Sequence, residues 1–167
     1  MKFNDIKKFP NIHYRVDIPL DYVAQTIEDY IKEGLIMDPD FQRGYVWTDQ
    51  QKVLYVEYLL KEPVSGREIY FNHPGWMGNW KGEFVLVDGK QRLNAWMEFW
   101  TGKIKAYGHY RNEYEGRMPT AFGFSFNIAK LQTRKEVLEW YLDFNTGGTY
   151  HTESEIQKVK ELILKEK

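Results

Sequence analysis

The segment Val87-Asp88-Gly89-Lys90-Gln91-Arg92 brings a carboxylate, a glycine, an amide and two cations together. Phe84-Val85-Leu86-Val87 before it is a continuous apolar run, the pattern of a buried strand. Leu93, Trp96, Met97 and Trp100 after it recur at helical spacing. The polar residues therefore sit where a strand ends and a helix begins. Free backbone N–H groups and the positive end of the helix dipole favour an anion there. A glycine permits close backbone approach, an arginine grips phosphate, and an aspartate holds a metal or a proton. The plainer reading is a tight turn in which Asp88 and Arg92 pair across the first helical turn. Pattern alone leaves both readings standing, because one short motif is weak evidence.

Two more polar clusters fall at breaks between elements. One is Gln42-Arg43, just before Tyr45 and Trp47; the other is Asn145-Thr146-Gly147-Gly148-Thr149. Two arginines and two helix starts together can neutralise a polyphosphate. Each cluster also has an ordinary reading. Gly147-Gly148 is a helix stop, and Arg43 is a surface residue paired with Asp40.

The elements that position these clusters follow from periodicity and caps. A strand is expected around His13 to Ile18. A helix follows Asp21, with Val23, Ile27, Tyr30 and Ile31 on one face and Gly34 as its stop. Residues 38–47 read as an extended loop. Thr48 and Gln51 form a capping box that opens a helix through Lys61, with Val53, Val56 and Leu60 inward. Arg67 to Asn72 reads as a strand, and His73 to Gly82 as a loop or hairpin with aromatic anchors. Ile104 to Tyr107 is expected to be a strand, and Arg111 to Thr120 irregular. Phe122, Phe124, Phe126 and Ile128 alternate strictly, which predicts a half-buried strand. Thr133 with Glu136, and Thr152 with Glu155, open two further helices, one through about Phe144 and one carrying Ile156, Val159 and Ile163. Helices and strands mix without a steady βαβ rhythm, so the expected class is α+β with a small mixed sheet.

Composition narrows the function. The 167 residues suit a single domain, expected to span 1–167. Net charge is −1, so the whole-chain electrostatic case for nucleic acid is weak. Aromatic content is 17%, enough to line a core or to stack bases. There is no Cys, which removes disulfides and thiolate metal sites. No apolar stretch approaches ~18 residues and no signal peptide is apparent, so no membrane partner and a cytoplasmic location are expected.

Taken in order, Pro39-Asp40-Phe41-Gln42-Arg43-Gly44-Tyr45-Val46-Trp47, then Val87 to Leu93, then Phe144 to Thr149 followed by Glu155, resemble the DUF262 family. That family usually carries Asp-Gly-Gln-Gln-Arg between a "Gln-Arg … Trp" segment and an "Asn-Thr-Gly-Gly" segment. The likeness runs from about residue 18 to 160. It implies a ParB/sulfiredoxin-like fold, with a small mixed sheet surrounded by helices. It also implies nucleotide binding or hydrolysis around Asp88, Gly89, Gln91 and Arg92, often in DNA defence or DNA metabolism. Lys90 departs from the pattern by replacing the family's first Gln, which adds a donor and a charge. Larger members carry an HNH nuclease domain. The four His here, at 13, 73, 109 and 151, form no paired His-Asn-His pattern, so no HNH activity is carried over. A standalone copy from a phage or other mobile element is the expectation.

Three functions follow. The first is an NTP hydrolase or phosphotransferase acting in DNA defence, counter-defence or DNA modification. In it Asp88 and Arg92 are catalytic, with Asp88 the arm for Mg²⁺. Gln42, Arg43, Gly89, Lys90, Gln91, Asn145, Thr146 and Gly147 bind the nucleotide. The second is a DNA-binding or DNA-cleaving module, with Tyr45, Trp47, Trp76 and Trp80 stacking bases. The third is a nucleotide-gated interaction protein without turnover, whose protein partner the sequence does not name.

Overall fold

A computed structural model describes residues 1–146 and 152–166. A four-stranded sheet is built from β1 (Tyr14–Pro19), β2 (Glu68–Asn72), β3 (Val85–Asp88) and β4 (Gly123–Ala129) in the order β1-β4-β2-β3. β4 runs antiparallel to β1 and parallel to β2, while β2 and β3 are antiparallel. The helices are α1 (Val23–Lys32), α2 (Asp49–Leu59), α3 (Lys90–Trp100), α4 (Arg134–Thr146) and α5 (Glu153–Lys165). The class is α+β, as the mixed element order requires.

The sheet separates two apolar layers. Ile69, Phe71, Leu86, Phe124 and Phe126 pack against α1, α2 and α3 through Ile27, Val56, Leu93 and Trp96. On the opposite face Val85, Val87 and Ala129 meet α4 and α5 through Val137, Leu138, Trp140 and Val159. All three expected capping boxes, Thr48–Gln51, Thr133–Glu136 and Thr152–Glu155, form. Lys52 joins α2 to α3 through Glu98 at 2.9 Å. Arg134 fastens α4 to Asp40, to Glu83 at 3.5 Å and to Glu166 at 3.2 Å. Asp40 is thus the partner of Arg134, which replaces the surface pairing with Arg43 that its position suggests.

The structure corrects two expected elements. β4 is buried along its whole length. Its alternation reflects two buried faces of different polarity: Phe124, Phe126 and Ile128 lie in the core, while on the other face Ser125 Oγ accepts from Arg15 and Asn127 donates to the Ile69 and Ser125 carbonyls. Ile104–Tyr107 is not a strand. The chain reverses at Tyr107 and Gly108, both with positive φ, and only Ala106 and His109 exchange backbone hydrogen bonds. Two consecutive left-handed residues make a tight hairpin turn, and no flanking pattern prolongs its arms. Among the described residues no helix is long and apolar enough to cross a membrane.

The outer edge of β3 is completed by non-strand groups. Ile36 donates to the Phe84 carbonyl at 2.9 Å and accepts from Leu86 N–H at 3.1 Å. Beyond it, the Gln42 carboxamide donates to the carbonyls of Leu86, at 2.5 Å, and Val87, at 3.0 Å. An otherwise open strand edge is thereby satisfied up to the residue before Asp88.

Candidate phosphate-binding cleft at the start of α3

The Asp88 turn is forced by packing beneath it. Gly89 has φ +104°, and a Cβ there would lie 2.5 Å from Ile69 Cδ1. Only glycine takes this left-handed backbone and fits over β2. Gly89 is also the N-cap of α3, and no side chain caps that helix end. The first-turn N–H groups are thus left for a ligand or water.

The turn opens into a cleft of about 140 Å³ lined by Gln42, Arg43, Trp47, Val87 to Arg92, Tyr141 and Asn145. The three polar clusters therefore meet at one place, as far as they are described. Gly147 lies outside the described residues, and Thr146 ends α4. A cavity of roughly 150 Å³ accommodates one benzene ring. The cleft thus has room for phosphate groups and leaves a whole nucleoside triphosphate to extend from its mouth.

The motif residues divide into two sets. Asp88 and Arg92 face each other, with Arg92 Nη2 donating to Asp88 Oδ2 at 2.5 Å. Arg92 Nε is buried with no hydrogen-bond partner among the described residues. A buried guanidinium N–H without a partner is costly unless something fills the place beside it. The plain reading of Asp88–Arg92 as a first-turn pair is thus what this chain adopts on its own, and it leaves guanidinium capacity unused.

Lys90 and Gln91 point their polar atoms at the loop over residues 38–47 instead. The Lys90 ammonium binds the Asp38 carboxylate, donates to the Arg43 carbonyl at 2.9 Å, and lies 4.7 Å from the centre of the Tyr45 ring. Gln91 Oε1 accepts from Val46 N–H at 3.1 Å and Trp47 N–H at 3.3 Å, while its Nε2 donates to the Gly44 carbonyl at 2.9 Å. Both residues hold the loop that carries Gln42, Arg43 and Trp47. Their side-chain polar atoms thus hold that loop, while both residues also line the cleft. The Lys90 side chain is only 4% exposed. Lys90→Met is expected to lower unfolding free energy by about 1–2 kcal/mol, from two lost charge-assisted bonds partly offset by Asp38 regaining water. Chemical denaturation checks the size, and faster amide exchange at Gly44 to Trp47 checks the cause.

Asn145 turns back on its own helix, Nδ2 donating to the Tyr141 carbonyl at 2.6 Å. Tyr141 is the cleft residue that sequence reasoning missed. Its spacing four residues before Asn145 puts both on one helical face, and that spacing was the available signal. Burial pushes its phenol up to about 12, opposed by a hydrogen bond from the Arg43 backbone and by the Arg43 charge. It is therefore a neutral hydroxyl at physiological pH. Its ring packs on Phe41 at 5.1 Å.

The aromatic residues proposed from sequence to stack bases separate in space. Trp47 lines the cleft and Tyr45 is half-exposed over Lys90. Trp76 is buried in the core at 7% exposure, against Tyr14, Tyr30 and Phe84. It is not available to a nucleic acid. Trp80 packs on Trp76 and His73 and does not line the cleft.

A model of the family described as GmrSD restriction endonuclease, N-terminal domain, matches residues 23–161. The chain belongs to that family. It is the DUF262 family that the three ordered motifs resemble. The GmrSD match spans from the first residue of α1 into α5 and so includes every described element of the cleft. No curated protein and no solved structure matches the chain.

The donor set sets limits on a metal. Among the described residues no three His, Asp or Glu side chains gather into a metal-binding group. Mg²⁺ commonly uses one or two carboxylates and completes its shell with phosphate oxygens and water. Asp88 fits that role as a single carboxylate arm for an ion arriving with the phosphates.

Proposed function

We propose that this GmrSD-family domain binds the phosphate chain of a nucleoside triphosphate at the start of α3 and hydrolyses it or transfers its phosphoryl group. Family membership implies a defence-related role in restriction or modification of DNA. The single observation that carries the nucleotide reading is the uncapped α3 N-terminus beside an arginine whose buried Nε lacks a partner. Together they offer an anion both backbone donors and a guanidinium.

In this reading Arg92 and the α3 N–H groups neutralise phosphate charge, and Arg43 adds a second cation from the opposite wall. Asp88 would be the residue that holds a Mg²⁺ ion, or that orients the attacking hydroxyl or water, in place of its pairing with Arg92. Bound Mg²⁺ supplies charge neutralisation of the phosphate oxygens. Gln42, Lys90 and Gln91 keep the two walls in register.

Thermal stabilisation by a panel of nucleoside triphosphates with Mg²⁺, followed by phosphate release and DNA-shift assays, tests the proposal. Arg92→Ala is expected to weaken nucleotide binding by about 1.5–3 kcal/mol, roughly 10- to 150-fold, from the loss of charge-assisted bonds. Its thermal midpoint without ligand should stay near wild type, because among the described residues Arg92 pairs with the partly exposed Asp88. An unfolded variant, together with no nucleotide affinity in wild type, assigns Arg92 to structure alone.

A further inference from the structure

The register of the sheet lines up polar side chains in a row that ends at the cleft. Arg15 pairs with Asn127, Asn127 with Tyr70, and Tyr70 with Asp88. The row crosses all four strands. α4 lies on this face, where Trp140 and Phe144 back the Tyr70 ring at 6.1 and 4.8 Å.

The chemistry of this row is unusual for the middle of a sheet. Asn127 is 3% exposed, and its Nδ2 donates to the Ser125 carbonyl at 3.0 Å and the Ile69 carbonyl at 3.4 Å. The half-buried Tyr70 hydroxyl has no hydrogen-bond partner among the described residues. Burial, then the Glu68 and Asp88 carboxylates, hold the Tyr70 phenol above its usual range, while Arg15 and Arg92 pull it back. Those are the charged groups that face it. Glu68 is already engaged, its Oε2 accepting from Gly66 and Arg67 N–H at 3.1 Å each. Arg15 is exposed and anchored by its Nε to Ser125 Oγ at 3.1 Å, which leaves the terminal guanidinium nitrogens without a partner among the described residues. An anchored arginine with a free fork, separated from an open phenol hydroxyl by the one intervening strand β4, can bracket a phosphate group with it from two sides.

We propose that Arg15 and Tyr70 form a second anion subsite, beside the Asp88–Arg92 cleft, for a second phosphate ester. That ester belongs either to the nucleotide extending from the cleft or to a nucleic-acid strand crossing the sheet. The proposal rests on the phosphate reading of the cleft only for what occupies its neighbour. Arg15 donates in bidentate fashion, Tyr70 donates its hydroxyl, and the sheet fixes their spacing from Asp88.

The test compares wild type with Arg15→Gln and Tyr70→Phe. Gln keeps a donor for Ser125, and Phe keeps the ring on Trp140 and Phe144, so both variants should fold. The probes are inorganic pyrophosphate, ATP with Mg²⁺, and a labelled oligothymidylate. Pyrophosphate binding should be unchanged in both variants. If the ester is that of a strand, Arg15→Gln lowers oligothymidylate affinity about tenfold and reduces the slope against log salt by about one. If it is that of the nucleotide, the same loss appears with ATP and not with the strand. Unchanged affinity for ATP and oligothymidylate in both variants overturns the subsite while leaving the cleft reading intact. Loss of strand binding in Arg15→Gln, with no nucleotide affinity in wild type, keeps the subsite and removes the cleft reading. Wild type binding none of the probes overturns both.

Discussion

Gly89→Ala is expected to lower unfolding free energy by about 2–4 kcal/mol and to remove phosphate binding in whatever fraction still folds. Two costs add. A residue with a Cβ in the left-handed region costs about 1–2 kcal/mol. The new methyl also meets Ile69 Cδ1 at 2.5 Å and Ile69 Cα at 3.3 Å. The first contact can move with its flexible side chain, but the second is β2 backbone, so part of the overpacking penalty of about 1–3 kcal/mol persists. Relief requires the turn to lift away from β2, which shifts the α3 N–H groups that line the cleft. The midpoint of chemical denaturation measures the first effect, and pyrophosphate titration of the folded variant measures the second. A variant as stable as wild type contradicts the forced geometry of the turn.

Asp88→Asn should give effects of opposite sign on binding and turnover. Without metal, Asp88 competes with any phosphate for Arg92. Removing its charge frees the guanidinium, so the variant should bind inorganic pyrophosphate several-fold more tightly than wild type in chelator. Adding Mg²⁺ should help wild type and not the variant, because only in wild type would the Asp88 carboxylate be there to hold the ion instead of Arg92. Phosphate release should fall about 10²- to 10⁴-fold, the usual worth of a positioned acid–base group. Asn keeps size and turn propensity, so the fold should persist. Wild-type turnover in Asp88→Asn reduces Asp88 to the first-turn partner of Arg92. Absence of turnover from wild type with any nucleotide or DNA substrate moves the protein to the binding-switch reading.

The strands and helices bordering the site were legible because each carried two agreeing signals. Periodicity located α3 and β3, and their junction is where the motif lies. Capping boxes at Thr48 and Thr152 placed the starts of α2 and α5 correctly, since a cap is a local hydrogen-bond pattern written in two residues. The meeting of Gln42-Arg43 with Asp88–Arg92 is expected because loops at element ends gather at a cleft, and the sheet edge explains how. Gln42 reaches the cleft because it completes the β3 edge.

Less legible were roles that depend on direction. Lys90 and Arg92 are both cations of one motif, but their positions on the first turn aim one at the loop and the other at the cleft. Sequence does not distinguish these directions without the course of residues 38–47. Trp76 and Trp80 sit in a glycine-rich stretch that reads as a loop or hairpin with aromatic anchors, and the pattern does not tell that Trp76 is the one that closes the core over Tyr30 and Phe84. Side-chain burial in a loop is set by what lies beneath it, which local composition does not encode. The same holds for β4, whose Ser125 and Asn127 look solvent-facing by alternation and are buried on the second face of the sheet.

Backbone amide NMR of the wild-type chain during titration with a nucleoside triphosphate and Mg²⁺ tests the central claim most directly, since it reports where the phosphates sit. The expected result is that the largest shifts fall on Gly89, Lys90, Gln91 and Arg92, with smaller ones on Arg43 and Asn145. The same titration of Arg92→Ala should need about 10- to 150-fold more ligand. Shifts confined to other surfaces, with the Gly89 to Arg92 amides unmoved at saturation, contradict phosphate binding at the start of α3.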